Sequence, residues 1–209
     1  MPAHGEAIFP QDLPAMLGSA MTMEKPRVRR IVTGHDAEGK STIIEDGPAP
    51  RVVTLDGRGS AFIELWSTRA TPVPIDRASG EPAEEGVRLH PPANGTRLRM
   101  VDFPPESEEV LAQLTPEVVR AAFAAIGAAD ALPDRDGPHP LMHRTESVDY
   151  GIVIEGEITL VLDGSETLLR AGEVVIQRGT SHAWANRSGR MARIAFILID
   201  GAYDAELQR

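Results

Sequence analysis

Two stretches in the second half of the chain combine histidines with other polar side chains in a spacing that could support chemistry. In the first, His143, Thr145, Ser147 and Asp149 occupy alternate positions, and alternate residues of a strand share one face. Such a face either meets water or lines a polar cavity, because buried strand faces usually carry aliphatic side chains. The intervening positions are no more apolar, so the alternation alone leaves both possibilities open.

The second stretch, residues 172–186, places His182, Trp184 and Asn186 on a shared strand parity. A histidine can act as a general acid or base, because its pKa lies near neutrality, and it can also bind a divalent metal. Trp184 fits either the wall of a cavity or the core. The chemistry of both stretches therefore depends on whether the fold brings them together.

In order and spacing, the two stretches resemble the two motifs of the cupin superfamily. The first motif is G-x5-H-x-H-x(3,4)-E-x6-G, and the second is roughly G-x5-P-x-G-x2-H-x3-N. The second match has one residue fewer after its first glycine, and Gln177 stands in the proline position. The resemblance implies an all-β cupin double-stranded β-helix, which is a jelly-roll barrel, of the small cupin-2 type. The matched positions are Gly137, His143 and Gly156, then Gly172, Gly179, His182 and Asn186.

The resemblance also implies a divalent metal site, with a degenerate ligand motif. Cupins typically use two histidines and a glutamate from the first motif and one histidine from the second. Thr145 replaces the second histidine and Asp149 replaces the glutamate, so His143, Asp149 and His182 remain as predicted ligands, a combination that suits Fe, Mn, Ni or Zn. His139 is an alternative ligand nearby, and the altered motif also permits a site without metal.

Three functions fit such a site. The first is a metal-dependent enzyme, a dioxygenase, decarboxylase or isomerase acting on a small organic acid or carbonyl compound. The second is a metal-free dehydratase, lyase or cyclase in which His143 and Asp149 form an acid–base pair. The third is a non-catalytic module that binds a small molecule. Tyr150 is a further candidate catalytic residue. The residues expected to line the substrate pocket are Thr145, Ser147, Trp184 and Asn186.

Short β-branched segments separated by turns must position these residues. Segments of this kind are densest over residues 137–209, a pattern typical of a barrel or sandwich. A helix is predicted near residues 106–130, with Thr115 as a plausible N-cap. We therefore predict a flexible arm over residues 1–27 and the barrel core over residues 137–209. Between them, residues 28–136 are predicted to form extra strands, a loop and one short helical excursion, which complete the barrel or form a dimer interface. We expect the helix to pack outside the barrel.

The segment GHDAEGKS, residues 34–41, matches a phosphate-loop pattern without mismatch. A phosphate loop requires a helix directly after it, whereas TIIEDGPAP follows here, with β-branched residues and then glycine and proline. We therefore predict a turn between two strands, with Gly39 supplying the unusual dihedral angles.

Composition narrows the classes of partner. The chain of 209 residues has a formal net charge of −10 and no cysteine, so nucleic acid is not expected and disulfides are excluded. The longest strongly apolar run, IAFILI, is too short to span a membrane. We expect a cytoplasmic protein with a small-molecule ligand or substrate and no membrane partner. A homodimer is expected because the edge strands within Val28–Leu55 need cover.

Overall fold

The structure, a computed structural model, describes residues 28–55, 58–76, 87–133 and 137–207. The arm predicted over 1–27 lies outside these ranges. The described residues form eleven strands, two α-helices and one 3₁₀ helix, Ala129–Ala131. The α-helices are α1 (Glu108–Gln113) and α2 (Pro116–Ala125). The strands are β1 (Arg29–His35), β2 (Ser41–Pro48), β3 (Arg51–Thr54), β4 (Ala61–Thr68), β5 (Thr96–Phe103), β6 (Ser147–Glu155), β7 (Glu157–Leu162), β8 (Glu166–Arg170), β9 (Val174–Arg178), β10 (His182–Ala185) and β11 (Ala192–Asp200).

Two antiparallel sheets form the barrel, which confirms the all-β prediction. The larger sheet has the strand order β3-β4-β5-β11-β6-β9, and the smaller has the order β10-β7-β8. The larger sheet draws strands from both sequence regions, since β5 pairs with β11 along its whole length. Strands from both the N-terminal and the C-terminal part of the described chain therefore meet in one sheet.

Apolar side chains from the facing sheets fill the space between them. Val153 and Ile194 come from the larger sheet, and Ile158 and Leu160 come from the smaller one; each is no more than 3% exposed. Burying a side chain of this size contributes about 1.5–3 kcal/mol relative to leaving it in water. These contacts hold the two sheets together around the candidate site.

Two short helices replace the single predicted one. Thr115 has an extended backbone and its side chain accepts a hydrogen bond from the N–H of Val118, so it caps α2 as predicted. Because a residue before proline avoids the helical region, Thr115 also separates α2 from α1. The second helix buries Val119 and Phe123 against the barrel. Neither helix in the described ranges is long and apolar enough to cross a membrane.

The segment that resembles a phosphate loop forms the turn of the β1–β2 hairpin, as predicted. Gly39 has a φ of 81°, and the Asp36 Oδ1 atom accepts hydrogen bonds from the N–H groups of Glu38, at 3.0 Å, and Lys40, at 2.8 Å. Strand β2 follows directly, so no helix terminus is present to bind phosphate.

Candidate functional site

The main chains of His143 and His182 pair directly as an isolated antiparallel bridge. Each donates its N–H to the carbonyl oxygen of the other, and both distances are 2.9 Å. Directly opposed residues of an antiparallel pair place their side chains on the same face, close together. The two ring centroids are accordingly 4.3 Å apart. A pair of backbone hydrogen bonds thus brings together two imidazoles that lie far apart in the sequence.

Backbone carbonyl groups orient both rings. The His143 Nδ1 atom is 2.9 Å from the Leu141 oxygen, and the His182 Nδ1 atom is 2.9 Å from the Thr180 oxygen. A carbonyl only accepts, so for His143 this geometry favours the tautomer with the proton on Nδ1 and a lone pair on Nε2. The Gln177 amide also donates to the Thr180 oxygen, at 2.9 Å, and lies 3.1 Å from His182 Nδ1. Gln177 thereby supports the loop that holds His182.

Both rings border a cavity of about 310 Å³ inside the barrel. This volume is within the range of sites that bind small molecules. Most of the lining side chains are apolar. The polar and charged lining residues are Arg58, Ser60, Arg99, Glu106, Gln113, His143, Asp149, His182 and Asn186.

Burial shifts the pKa values of the three central groups in opposite directions. It lowers the pKa of His143, which is surrounded by protein although part of its surface faces the cavity. Burial, followed by the neighbouring His143, lowers the pKa of His182 to about 3. Burial raises the pKa of Asp149 to about 6, against the opposing effects of a Ser147 hydrogen bond and the Arg99 charge. Both imidazoles are therefore neutral at neutral pH, while Asp149 titrates just below it.

Comparisons with known proteins agree with this architecture. The Cupin_2 family model, described as a cupin domain, matches residues 131–199. The cupin-domain-containing oxidoreductase virC of Hypocrea virens is 32% identical over 208 residues, which cover 91% of this chain and 88% of that protein. This chain belongs to the cupin superfamily. Phomopsin biosynthesis cluster protein C′ of Diaporthe leptostromiformis is also 32% identical, over 88% of this chain and 90% of that protein.

Further similarities extend to another fungal protein and to solved structures. The cupin-domain-containing oxidoreductase fogC of Aspergillus ruber is 30% identical over 83% of this chain and 73% of its own length. The cupin domain of Schizosaccharomyces pombe Cnp3 covers 85% of this chain and 89% of its own, with 10% identity and a TM-score of 0.41. That structural similarity is too low to support a conclusion about function.

Four residues were predicted to line the substrate pocket of this cupin, and two of them do so. Trp184 and Asn186 line it, as expected. Trp184 packs edge-on against His182, with ring centroids 5.8 Å apart. The Asn186 amide donates to the backbone oxygens of Phe103, at the end of β5, and Arg190. Thr145 and Ser147 are buried but are not among the lining residues. Their hydroxyls are 2.8 Å apart, and Ser147 hydrogen-bonds to Asp149.

Tyr150 is not among the residues that line the cavity, and its catalytic role stays a prediction. It follows Asp149 directly on β6, and successive residues of a strand point to opposite faces. Asp149 therefore faces inward, whereas Tyr150 lies on the outer face with 40% of its surface exposed. Strand parity alone could have separated these two residues.

Arg99 and Phe123 line the cavity but were not singled out in the sequence. Arg99 is 1% exposed on β5, where it forms an ion pair with Glu64 at 3.0 Å and stacks over the Phe62 ring. The alternation of arginines with apolar residues in TRLRMVDF was the available signal. Phe123 comes from α2 and packs 5.2 Å from the His143 ring. The helix expected outside the barrel therefore forms part of the cavity wall.

The predicted metal ligands are only partly assembled. His143 and His182 converge, but no three His, Cys, Asp or Glu side chains within the described ranges are arranged to hold a metal ion. The Asp149 Oδ1 atom is buried and has no hydrogen-bond partner among the described residues. His139 instead pairs with Glu106 at 3.2 Å. The side chains as placed therefore do not fit a three-ligand centre, and metal binding stays a prediction.

Proposed function

We propose that this cupin is an enzyme that transfers protons on a small carbonyl compound, in a reaction of the dehydratase, lyase or cyclase type. The observation that carries the proposal is one cavity that holds two adjoining neutral imidazoles and a buried carboxyl whose pKa is about 6. Titratable groups whose surroundings push their pKa values apart are typical of acid–base sites.

His143 and Asp149 take the two roles in this proposal. The Nε2 atom of His143 removes a proton from the carbon next to the substrate carbonyl, because its Nδ1 atom is occupied by the Leu141 oxygen. The protonated form of Asp149 donates its proton to a leaving hydroxyl, so that water departs as the carbon–carbon double bond forms. A carboxyl with a pKa close to neutrality suits this role.

The surroundings support these roles. His182 packs against His143 and remains neutral, so it adds no positive charge that would oppose protonation of its neighbour. Most of the cavity lining is apolar, and charges beside apolar groups interact more strongly than they do in water. Relatives named as biosynthesis cluster proteins and as oxidoreductases support an enzymatic role in small-molecule metabolism.

The proposal can be tested with a simple β-hydroxy ketone, 4-hydroxy-2-heptanone, in deuterium oxide. We expect the wild-type protein to accelerate both deuterium incorporation next to the carbonyl and formation of the unsaturated ketone. Asp149→Asn is expected to slow dehydration by about 100-fold or more, and His143→Gln to slow deuterium incorporation as strongly. Activity should survive treatment with a chelator.

The outcomes separate the candidate functions. Exchange no faster than in buffer would count against proton transfer on this class of compound. Tight binding of the ketone without any turnover would favour the non-catalytic small-molecule module. Equal activity in wild-type and Asp149→Asn protein would remove the acid role of Asp149.

A metal-dependent cupin enzyme, of the dioxygenase, decarboxylase or isomerase type, is the second candidate. It is favoured by the backbone oxygens that hold both Nδ1 atoms, since metal-binding histidines commonly donate their other N–H to such a group. Elemental analysis of protein purified without a histidine tag tests this candidate. About one equivalent of Fe, Mn, Ni or Zn, lost in both His143→Ala and His182→Ala, would support it over the first proposal.

A further inference from the structure

One wall of the cavity differs from the rest in its composition. Residues 110–126, which span most of α1 and all of α2, supply ten lining side chains, and Gln113 is the only polar one among them. The reacting groups, His143, Asp149 and His182, all come from the barrel side instead. The cavity thus joins a polar reacting region to an apolar helical wall.

Part of the helical wall is lined by small side chains. Ala121, Ala122 and Ala125 of α2 all border the cavity, whereas Ala124 of the same helix does not. The three alanines are exposed and are not packed in the core. The cavity therefore stays open along this helix and has room for part of a bound molecule.

Phe123 marks the junction between the two regions. Its ring lies 5.2 Å from the His143 ring, and it is buried in the same core cluster as Val119 and Ile126. A molecule whose carbonyl group reaches His143 would place its remaining atoms past Phe123. Those atoms would meet aliphatic side chains, which favour hydrocarbon over polar groups.

We propose that the substrate carries a slender hydrocarbon tail that lies along α1 and α2 while its carbonyl head meets the histidine pair. The assignment of a carbonyl head group rests on the proposed function, but binding of the tail does not require turnover. The proposal therefore concerns affinity, which can be measured whether or not the protein transforms the compound.

Straight-chain methyl ketones provide the test. Equilibrium dialysis of 2-butanone, 2-pentanone, 2-hexanone and 2-heptanone against the full chain gives their dissociation constants directly. We expect affinity to rise about fourfold for each added methylene group, in wild-type and in Asp149→Asn protein alike. Loss of 4-hydroxy-2-heptanone dehydration in Asp149→Asn, with an unchanged affinity series for the methyl ketones, would separate the two proposals.

A matched pair of variants locates the tail. Ala122→Asp puts a carboxylate on the lining wall, whereas Ala124→Asp puts the same group on the same helix away from the cavity. We expect Ala122→Asp to weaken 2-heptanone binding at least tenfold and to leave 2-butanone within about twofold. Ala124→Asp should leave the whole series unchanged.

Two results would overturn the tail proposal. The first is an affinity that does not change with chain length. The second is an equal effect of the two aspartates, with circular dichroism showing both variants folded. An absence of both deuterium exchange and dehydration of 4-hydroxy-2-heptanone, with the affinity series of the methyl ketones intact, would contradict the proposed function and leave the tail proposal standing.

Discussion

The inner and outer faces of the six-stranded sheet treat charged and apolar groups differently. Among its apolar core residues the inner face carries buried charged groups, Glu64, Arg97, Arg99 and Asp149, each at most 7% exposed. The outer face holds the ion pair of Asp102 with Arg193 and leaves aliphatic and aromatic side chains exposed. Soluble proteins usually place charge outside and apolar groups inside. The exposed outer residues are Tyr150 and Ile154 of β6 and Val174 and Ile176 of β9.

The difference indicates that the two faces serve different purposes. Buried ion pairs rarely stabilise a fold more than apolar residues of the same volume would, so the inner charges point to a site. On the outer face, Ile63 and Leu65 of β4 are covered by residues near Ala49, while β6 and β9 have no comparable cover among the described residues. The exposed outer side of β6 and β9 is therefore suited to association with a second protein surface.

Removing the inner anion should have the largest effect on stability. Glu64 pairs with Arg97 at 3.3 Å and with Arg99 at 3.0 Å. We expect Glu64→Gln to lower the free energy of unfolding by about 3–5 kcal/mol, because the two guanidinium groups stay buried after the negative charge of Glu64 is removed. Urea denaturation measures this. The control is the surface variant Asp46→Asn, which breaks an exposed ion pair with Arg29 and should change the free energy of unfolding little. An equally small effect of Glu64→Gln would show that the inner charges are well solvated.

The inner carboxyl Asp149 should make stability depend on pH. Its pKa is about 6 in the folded state and 3.8 as the ordinary value, so the folded protein binds this proton more tightly. The group's contribution to the unfolding free energy therefore falls as the pH rises from about 4 to about 6, by about 3 kcal/mol in total. Relative to wild type, Asp149→Asn should gain that amount across the same window.

Wild type must be compared with Asp149→Asn because His182 changes the free energy of unfolding with pH in the opposite direction to Asp149. Its pKa is lowered from 6.5 to about 3, so the folded state loses stability as the pH falls below about 6.5. Urea denaturation of wild type and Asp149→Asn at several pH values isolates the carboxyl. A difference between them that stays constant across the window would rule out the raised pKa of Asp149.

The homodimer remains a prediction, and the outer face is where it can be tested. Ile176 is 53% exposed on β9, and Leu168 is 41% exposed on the other sheet. We expect sedimentation velocity to show a dimer at micromolar concentration and Ile176→Asp to weaken association at least tenfold, because a buried isoleucine contributes about 1.5–3 kcal/mol. Leu168→Asp is the matched control. A wild-type monomer would contradict the prediction, and equal effects of both variants would place the contact elsewhere.

The smallest effect should come from Tyr150. Its side chain lies on the outer face of β6, so Tyr150→Phe should leave ketone binding and deuterium exchange within about twofold of wild type. The same assays used for Asp149→Asn provide the measurement. A loss comparable to that of Asp149→Asn would support the catalytic role predicted for Tyr150.

Much of the site could be predicted because its residues lie on regular strands with recognisable motif spacing. The order of the two motifs predicts that His143 and His182 belong to one site, and the strand parity of Trp184 and Asn186 predicts their position at the cavity. Arg99 and Phe123 escaped prediction because they belong to no motif. Strand β5 brings Arg99 to the cavity and helix α2 brings Phe123 there, through contacts between distant parts of the chain.

The sequence by itself determined the antiparallel barrel, the turn at Gly39, the cap at Thr115 and the two histidines of the site, because alternation, turn residues and motif spacing are local properties. Only the tertiary structure decided that α2 forms one wall of the cavity, and that Asp149, of the two opposite-facing neighbours Asp149 and Tyr150, is the one that faces inward with a raised pKa. Burial and the meeting of distant groups set these features, and neither is encoded in any single segment.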